Sequence, residues 1–429
     1  MLIYLPILYI AAQFLYRRSV SQKTASVVTY VFEIAAFIKY FLIPLLILLD
    51  EEYLFVMGPV PSDKSLELAV KITIYEMLLI YFLRYIYIKK KIKNIRLTCS
   101  SGFRYEIASL LPVITIIGFV LLLLFPDLML PKLYIFGEKD AENEQMVATF
   151  SILVSLWKKL FYILSIIYVY KKFQCSVYSK RKSVLYSFFL FFLIILFTLS
   201  SSRWGVLFLS ISTFMILASL YGKIIKRISF TVFPFLILIL VLITLYKFQN
   251  QFDALGEVSI QSFTVILASQ LQAYFSGVSL IAQSIDMSTN AIFANGFTYN
   301  VLLNDFAGSV PILNKFINPM ERTNIYFNQY VIALHTEWFT QIIPSSGIGY
   351  IYFGFWLSPL FTVLFNITGL HFERKCFETN DIFDKFIFIY ISLWCSLSIC
   401  FNTDIPFGSV IIGLLPLYII NKLYNKYKL

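Results

Sequence analysis

Charge is what this chain of 429 residues has least of. Charged residues make up only 14% of it, where a soluble domain carries about 25%. Hydrophobic residues reach 59% and the mean hydropathy is +0.78. So little polar surface cannot cover a water-soluble globule of this length, which excludes the soluble enzyme classes. Cysteine is scarce too, at five residues. Cys99, Cys175 and Cys376 fall in segments assigned below to the cytoplasmic side, while Cys395 and Cys400 share one apolar run. An outer face framed by disulfides is thereby excluded. Histidine occurs twice, as His335 and His371. The chain also has no P-loop, no dinucleotide fingerprint, no CxxC, no internal repeat and no Asp-x-Asp on its expected outer side. Nothing in it calls for a metal or another cofactor, and paired broken helices of the inverted-repeat type are missing.

What is present is apolar sequence in runs. They cover residues 2–16, 25–49, 66–88, 105–125, 150–170, 184–202, 204–221, 228–246, 347–370, 386–401 and 407–421. The pattern predicts an all-α, polytopic transmembrane bundle of about eleven spans, or up to about thirteen with weak ones hidden in a loop, at roughly 20 apolar residues per span. The segment 2–16 has no basic region before it and reads as a retained span, not a signal peptide. Phe (44) and Tyr (29) suit lipid-packed helices with aromatic belts.

The net charge of +11 invites a nucleic-acid reading, but its distribution argues for a membrane. Basic residues cluster between apolar runs: Arg17, Arg18 and Lys23; Lys89 to Arg96; Lys171 to Lys182; Lys223 to Arg227; and Lys422 to Lys428. Alternation of spans puts all of these clusters on one side, as cytoplasmic loops require. The division that follows is a membrane bundle over residues 1–246, a large extracytoplasmic loop over 247–346, and C-terminal spans over 347–429. A connector of that length is too long to be passive. Within it, residues 258–285 carry no charge and suggest an interfacial, re-entrant or weakly spanning helix. The acidic run Glu138, Asp140, Glu142 and Glu144 in the other notable outer loop reads as a solvated loop.

Charges at membrane depth are costly and point to function by default. Lys39 and Glu76 reach similar depth on consecutive antiparallel spans, so a structural ion pair is expected, with a transport relay as the alternative. Lys158 and Lys159 are adjacent on one span. They are candidates either for snorkelling to headgroups or for a phosphate-bearing ligand. Ser200-Ser201-Ser202-Arg203-Trp204-Gly205 joins two runs with almost no loop. Arg203 there is expected at the outer face, partly withdrawn from water and able to hold two phosphate oxygens; an interfacial anchor is the alternative. The large loop ends with Arg322, His335, Glu337 and Trp338, then Pro344-Ser-Ser-Gly-Ile-Gly349. His335 and Glu337 would share a face only in an extended segment. Asp305 and Asp404 are further outer carboxylates beside apolar sequence.

Two stretches carry a resemblance: Ser201-Ser202-Arg203-Trp204-Gly205 opening a span, and Pro344-Ser-Ser-Gly-Ile-Gly-Tyr-Ile-Tyr-Phe-Gly-Phe355 at the end of the large loop. Together with the layout of nearly the whole chain they resemble the O-antigen and capsule polysaccharide polymerases, the Wzy-type oligosaccharide repeat-unit polymerases. The resemblance implies a GT-C-like, metal-independent glycosyltransferase in the bacterial cytoplasmic (inner) membrane. Its substrate would be an undecaprenyl-diphosphate-linked oligosaccharide, joined to the next lipid-linked unit at the outer face, with membrane lipid and a chain-length regulator protein as partners. Arg203, Arg322, Lys158 and Lys159 would then face the diphosphate. Glu337, His335 and Asp305, in that order, would be candidates for the base, and the uncharged 258–285 helix a cover over the lipid site. The related O-antigen ligases carry His followed by Asn, whereas His335 is followed by Thr336. A lipid-linked oligosaccharide flippase or other transporter would have short loops on both sides. A membrane acyltransferase would place its His within the membrane.

Overall fold

The computed structural model describes residues 1–19, 26–49, 58–91, 104–129, 144–198, 203–222, 224–225, 228, 260–318, 320–331 and 342–427. Every regular element among them is helical, and the single backbone bridge pairs Arg104 with Asp381. Among the described residues five helices are long and apolar enough to cross a membrane: Val27–Leu49, Glu106–Leu124, Phe150–Gln174, Trp204–Tyr221 and Asp404–Tyr427. A sixth is reached if Ser345–Leu357 and Leu360–Glu378, which meet at a bend of 98°, count as one span. The chain is thus an all-helical protein with the helices of a membrane protein.

It divides into two compact units, residues 1–96, 258–374 and 392–411 in the first, and 97–257, 375–391 and 412–429 in the second. In the second unit, α4 (Glu106–Leu124), α5 (Glu144–Gln174), α6 (Lys180–Thr198) and α7 (Arg203–Tyr221) pack in sequence order. Hydroxyls hold that unit together at depth: Tyr221 lies 2.5 Å from Ser183, and Tyr162 lies 2.8 Å from Thr213. Asp384 of α14 (Ile382–Ser396) binds Lys422 and Asn421, each at 2.8 Å.

The first unit contains α1 (Tyr4–Ser19), α2 (Val27–Leu49) and α3 (Asp63–Lys91). Ser26 caps α2 by accepting from the Thr29 N–H. The helix widens into a π turn over Ile38–Leu42, which carries Lys39. The uncharged stretch forms α8 (Ile260–Phe275) and α9 (Val278–Thr289), joined at Ser276 with φ +51°. The structure corrects the expectation for its second half. All side chains from Val278 to Ile285 are buried and α9 packs on α3 and on the helix Ser345–Leu357, so it is a core helix and not a cover. Small and amide side chains without charge let it be surrounded on every side. Its one acid, Asp286, accepts from Ser62 N–H at 2.8 Å, Ser62 Oγ at 2.8 Å and Ser65 Oγ at 2.6 Å, anchoring the start of α3.

Then follow α10 (Tyr299–Gly308), α11 (Thr323–Val331), α12 (Ser345–Leu357), α13 (Leu360–Glu378) and α15 (Asp404–Ile411). The run 347–370, expected as one straight span, is broken. Gly354 adopts φ +73°, a conformation that favours glycine. Gly349 lies so close to the Ser358 carbonyl that a Cβ would collide with it. The glycines of this motif therefore serve close packing and a sharp turn.

Candidate functional site

Three of the residues singled out from sequence meet in the first unit: Arg322, Asp305 and Asp404. Asp305 lies on the buried face of α10, at 1% exposure. Its Oδ1 accepts the Thr323 N–H at 2.9 Å and so caps the start of α11 from another helix. Arg322, immediately before that start, donates from Nη2 to Asp404 Oδ2 at 2.6 Å, and its Nε stands 3.9 Å from Asp305 Oδ1. Asp404 opens α15, where a carboxylate suits the helix dipole, and Asn402 caps that turn by accepting the Ile405 N–H at 3.1 Å. Ser309 Oγ reaches both the Asp305 and the Asp404 carbonyls at 3.3 Å.

Gly308 is what lets the guanidinium lie there. A Cβ at that position would sit 2.7 Å from Arg322 Cζ. Tyr352, from the motif at the end of the large loop, lies 2.7 Å from Thr323 Oγ1, which ties α12 to the same corner. Phe306, next to Asp305, packs edge-on against Phe407 at 5.1 Å and against Phe361 at 5.6 Å.

Two atoms of this cluster are buried with no hydrogen-bond partner among the described residues: Asp305 Oδ2 and Arg322 Nε. Burial, and next the neighbouring Asp404 carboxylate, push the Asp305 carboxyl up to about 7. Arg322 and the Thr323 hydrogen bonds act in the opposite direction and are outweighed. The corner therefore holds a carboxyl that titrates near neutral pH, an arginine with a donor to spare, and an aromatic wall. That combination can take a proton from a hydroxyl and stabilise an anion beside it.

The other candidates divide. Glu337, His335 and Trp338 lie outside the described residues, as do Ser200 to Ser202; Arg203 begins α7, and its side chain is likewise outside them. Lys158 and Lys159 belong to the second unit and are engaged there. Lys158 Nζ donates to the Leu128 carbonyl at 3.0 Å, and Lys159 Nζ stands 5.8 Å from the Tyr390 ring centre. Among the described residues no group of three His, Cys, Asp or Glu side chains is placed to hold a metal ion.

A second charged cluster, in the first unit like the corner, is the expected ion pair. Lys39 Nζ donates to Glu76 Oε2 at 2.8 Å and to the Ile399 carbonyl at 2.7 Å. Tyr40 and Thr362 hydroxyls donate to the same carboxylate at 3.1 and 2.9 Å. Lys71 instead pairs with Glu67 at 2.7 Å on the exposed side of α3. The sequence reading missed Arg84 and Glu373. Arg84 is fully buried, bonds Asn366 Oδ1 at 3.3 Å and stacks 3.5 Å from the Phe32 ring centre. Glu373 takes hydroxyl donors from Ser26 and from Thr29. A lone Arg in an otherwise apolar stretch of α3 was the available signal, masked by the basic cluster that follows it.

Comparison with models of protein families, with curated proteins and with solved structures finds no match for this chain.

Proposed function

We propose that this chain is a polysaccharide polymerase, a glycosyltransferase that joins polyprenyl-diphosphate-linked oligosaccharide units at the outer face of a bacterial cytoplasmic membrane. The observation that carries the reading is the Asp305–Arg322–Asp404 corner, with its carboxyl near neutrality beside an incompletely used guanidinium. In the proposed reaction Asp305 takes the proton of the acceptor sugar hydroxyl. The oxygen attacks the anomeric carbon of the donor, the bond from that carbon to the diphosphate oxygen breaks, and the polyprenyl diphosphate leaves. Arg322 stabilises its charge, and Arg203, Lys158 and Lys159 stay candidates for that role from the sequence resemblance alone; no metal is needed in the scheme. Glu337 and His335 remain candidates for sharing the base role. The bundle of about eleven to thirteen spans, the GT-C-like arrangement and the extracytoplasmic 247–346 loop belong to this same proposal, as do contacts with membrane lipid and a chain-length regulator.

One observation favours a second reading, a lipid-linked oligosaccharide flippase or transporter. The bent α12–α13 pair and the buried charges Lys39, Glu76 and Arg84 are features such proteins use. An O-antigen ligase is a third reading within the same chemistry. Glycan analysis of cells lacking the protein separates them. Loss of a polymerase leaves single repeat units at the cell surface, loss of a flippase leaves none there, and loss of a ligase leaves long chains on the lipid carrier. Absence of surface single units would overturn the polymerase reading.

A further inference from the structure

The segment 292–320 combines two faces that a soluble loop would not. Towards the protein, Val301, Leu302 and Asp305 are buried. On the other face, Tyr299 and Leu303, four residues apart and so on one side of α10, are 67% and 64% exposed. Beyond the helix Phe316 is 82% exposed, and Ile292, Leu313 and Met320 are exposed with it. Asn304 Nδ2 donates to the Glu321 carbonyl at 3.1 Å, which ties the turn carrying Met320 to α10. Water-exposed surfaces seldom carry so many large apolar side chains close together without a partner.

The position of the segment says what that partner is. α10 is fixed to the head of α15, the first turn of a helix long and apolar enough to cross a membrane. Ser309 Oγ bonds the Asp404 carbonyl, Arg322 bonds the Asp404 carboxylate, and Phe306 packs on Phe407. Phe306 also packs on Phe361, in the first turn of α13. The segment thus sits beside the first turn of the span-capable Asp404–Tyr427, a place that lies near the surface of any bilayer this helix crosses. Lys315, exposed beside Phe316, offers a cation to lipid phosphates. Glu321 is held by Asn318 Nδ2 at 3.0 Å.

We infer that residues 292–320 form a membrane-interface anchor. Tyr299, Leu303, Leu313 and Phe316 enter the boundary between headgroups and acyl chains, and the Asp305–Arg322 corner is held at the lipid surface. The anchor does not rest on the glycan chemistry proposed above. It needs only that the span-capable helices cross a bilayer, and the partner it takes is phospholipid.

The test uses the full chain in vesicles of phosphatidylethanolamine and phosphatidylglycerol. A photo-reactive benzoylphenylalanine replaces Phe316, Leu303, Trp356 or Thr289 in turn. Trp356, 75% exposed on the bent span-capable pair, reports lipid contact, and Thr289 is an exposed polar site. Phospholipid adducts at 316 and 303, at a yield within about threefold of that at 356 and at least about tenfold above that at 289, are expected. A yield at 316 and 303 as low as at 289, or adducts there to protein in place of lipid, would overturn the anchor.

Discussion

Two charged clusters in the first unit are built on opposite principles. Around Lys39 and Glu76 neither the nitrogen nor either carboxylate oxygen is left without a partner: the carboxylate receives three donors and the ammonium has two acceptors. Around Arg322, Asp305 and Asp404 the chain leaves one carboxylate oxygen and one guanidinium nitrogen without partners among the described residues. A buried polar atom without a partner costs about 1–3 kcal/mol. A complete network locks helices together, whereas an incomplete one stays ready for a substrate group. Under the proposed function the first cluster is structural and the second carries chemistry, and each variant below is a way to break that proposal.

The largest effect is expected from Asp305→Asn. If Asp305 is the base, extension of purified lipid-linked repeat units should fall by about 10²–10⁴-fold, the usual worth of general base catalysis, with the melting temperature kept or raised. Next comes Lys39→Met, which strands Glu76 in the interior and should lower unfolding stability by about 3–5 kcal/mol. The double variant with Glu76→Gln should recover most of that loss, and its folded fraction should extend glycans normally. A slow but stable Lys39→Met protein would move chemistry into the wrong cluster.

Arg322→Ala should reduce extension by on the order of 10²-fold, the scale of one lost charge stabiliser, with Arg322→Lys between it and wild type. Arg203→Ala is expected to act on the same scale. Wild-type rates from either alanine variant would remove that cation from the diphosphate.

A smaller effect concerns stability and pH. The Asp305 carboxyl is held at about 7 in the folded chain, against about 3.9 in an unfolded one. Below the lower value both states carry the proton. Between the two values the unfolded chain releases it first, so the contribution of Asp305 to stability falls as pH rises through the window and levels off above about 7. Melting curves of Asp305→Asn should show a shallower fall than wild type, since Asp404 in the same corner remains; an identical slope in both proteins would assign the titration elsewhere. The smallest expected change is Gly308→Ala. Its methyl displaces the flexible end of Arg322, so extension should drop several-fold while stability moves by about 1 kcal/mol or less.

Helical content was legible in the sequence, and so were five of the eleven expected spans, or six with the bent pair, because hydrophobic runs of span length say so directly. The Lys39–Glu76 pair was legible from depth alone, since two opposite charges on consecutive antiparallel helices have few other partners. The Asp305–Arg322–Asp404 corner was only half legible. Each residue stood out as an outer charge beside apolar sequence, but 82 residues separate Arg322 from Asp404, and nothing local announces that α15 returns to α10. Of the interfacial, re-entrant and weakly spanning readings of 258–285, burial of α9 removes the interfacial one for its second half, which a segment rich in Ser and Gln had suggested. Only its neighbours, α3 and α12, show that it is enclosed. The break at Gly354 was hidden for a similar reason, as hydropathy registers a span's apolar length and not its direction.

The most direct test of the central claim is the pH dependence of kcat/KM for glycan extension by the purified wild-type protein, which reports the ionisation of the substrate-free site. With Asp305 as the base, the rate should rise about tenfold per pH unit below about 7 and reach a plateau above it. A rate constant across about pH 5–8 would contradict Asp305 as the proton acceptor and, with it, the assignment of chemistry to this corner.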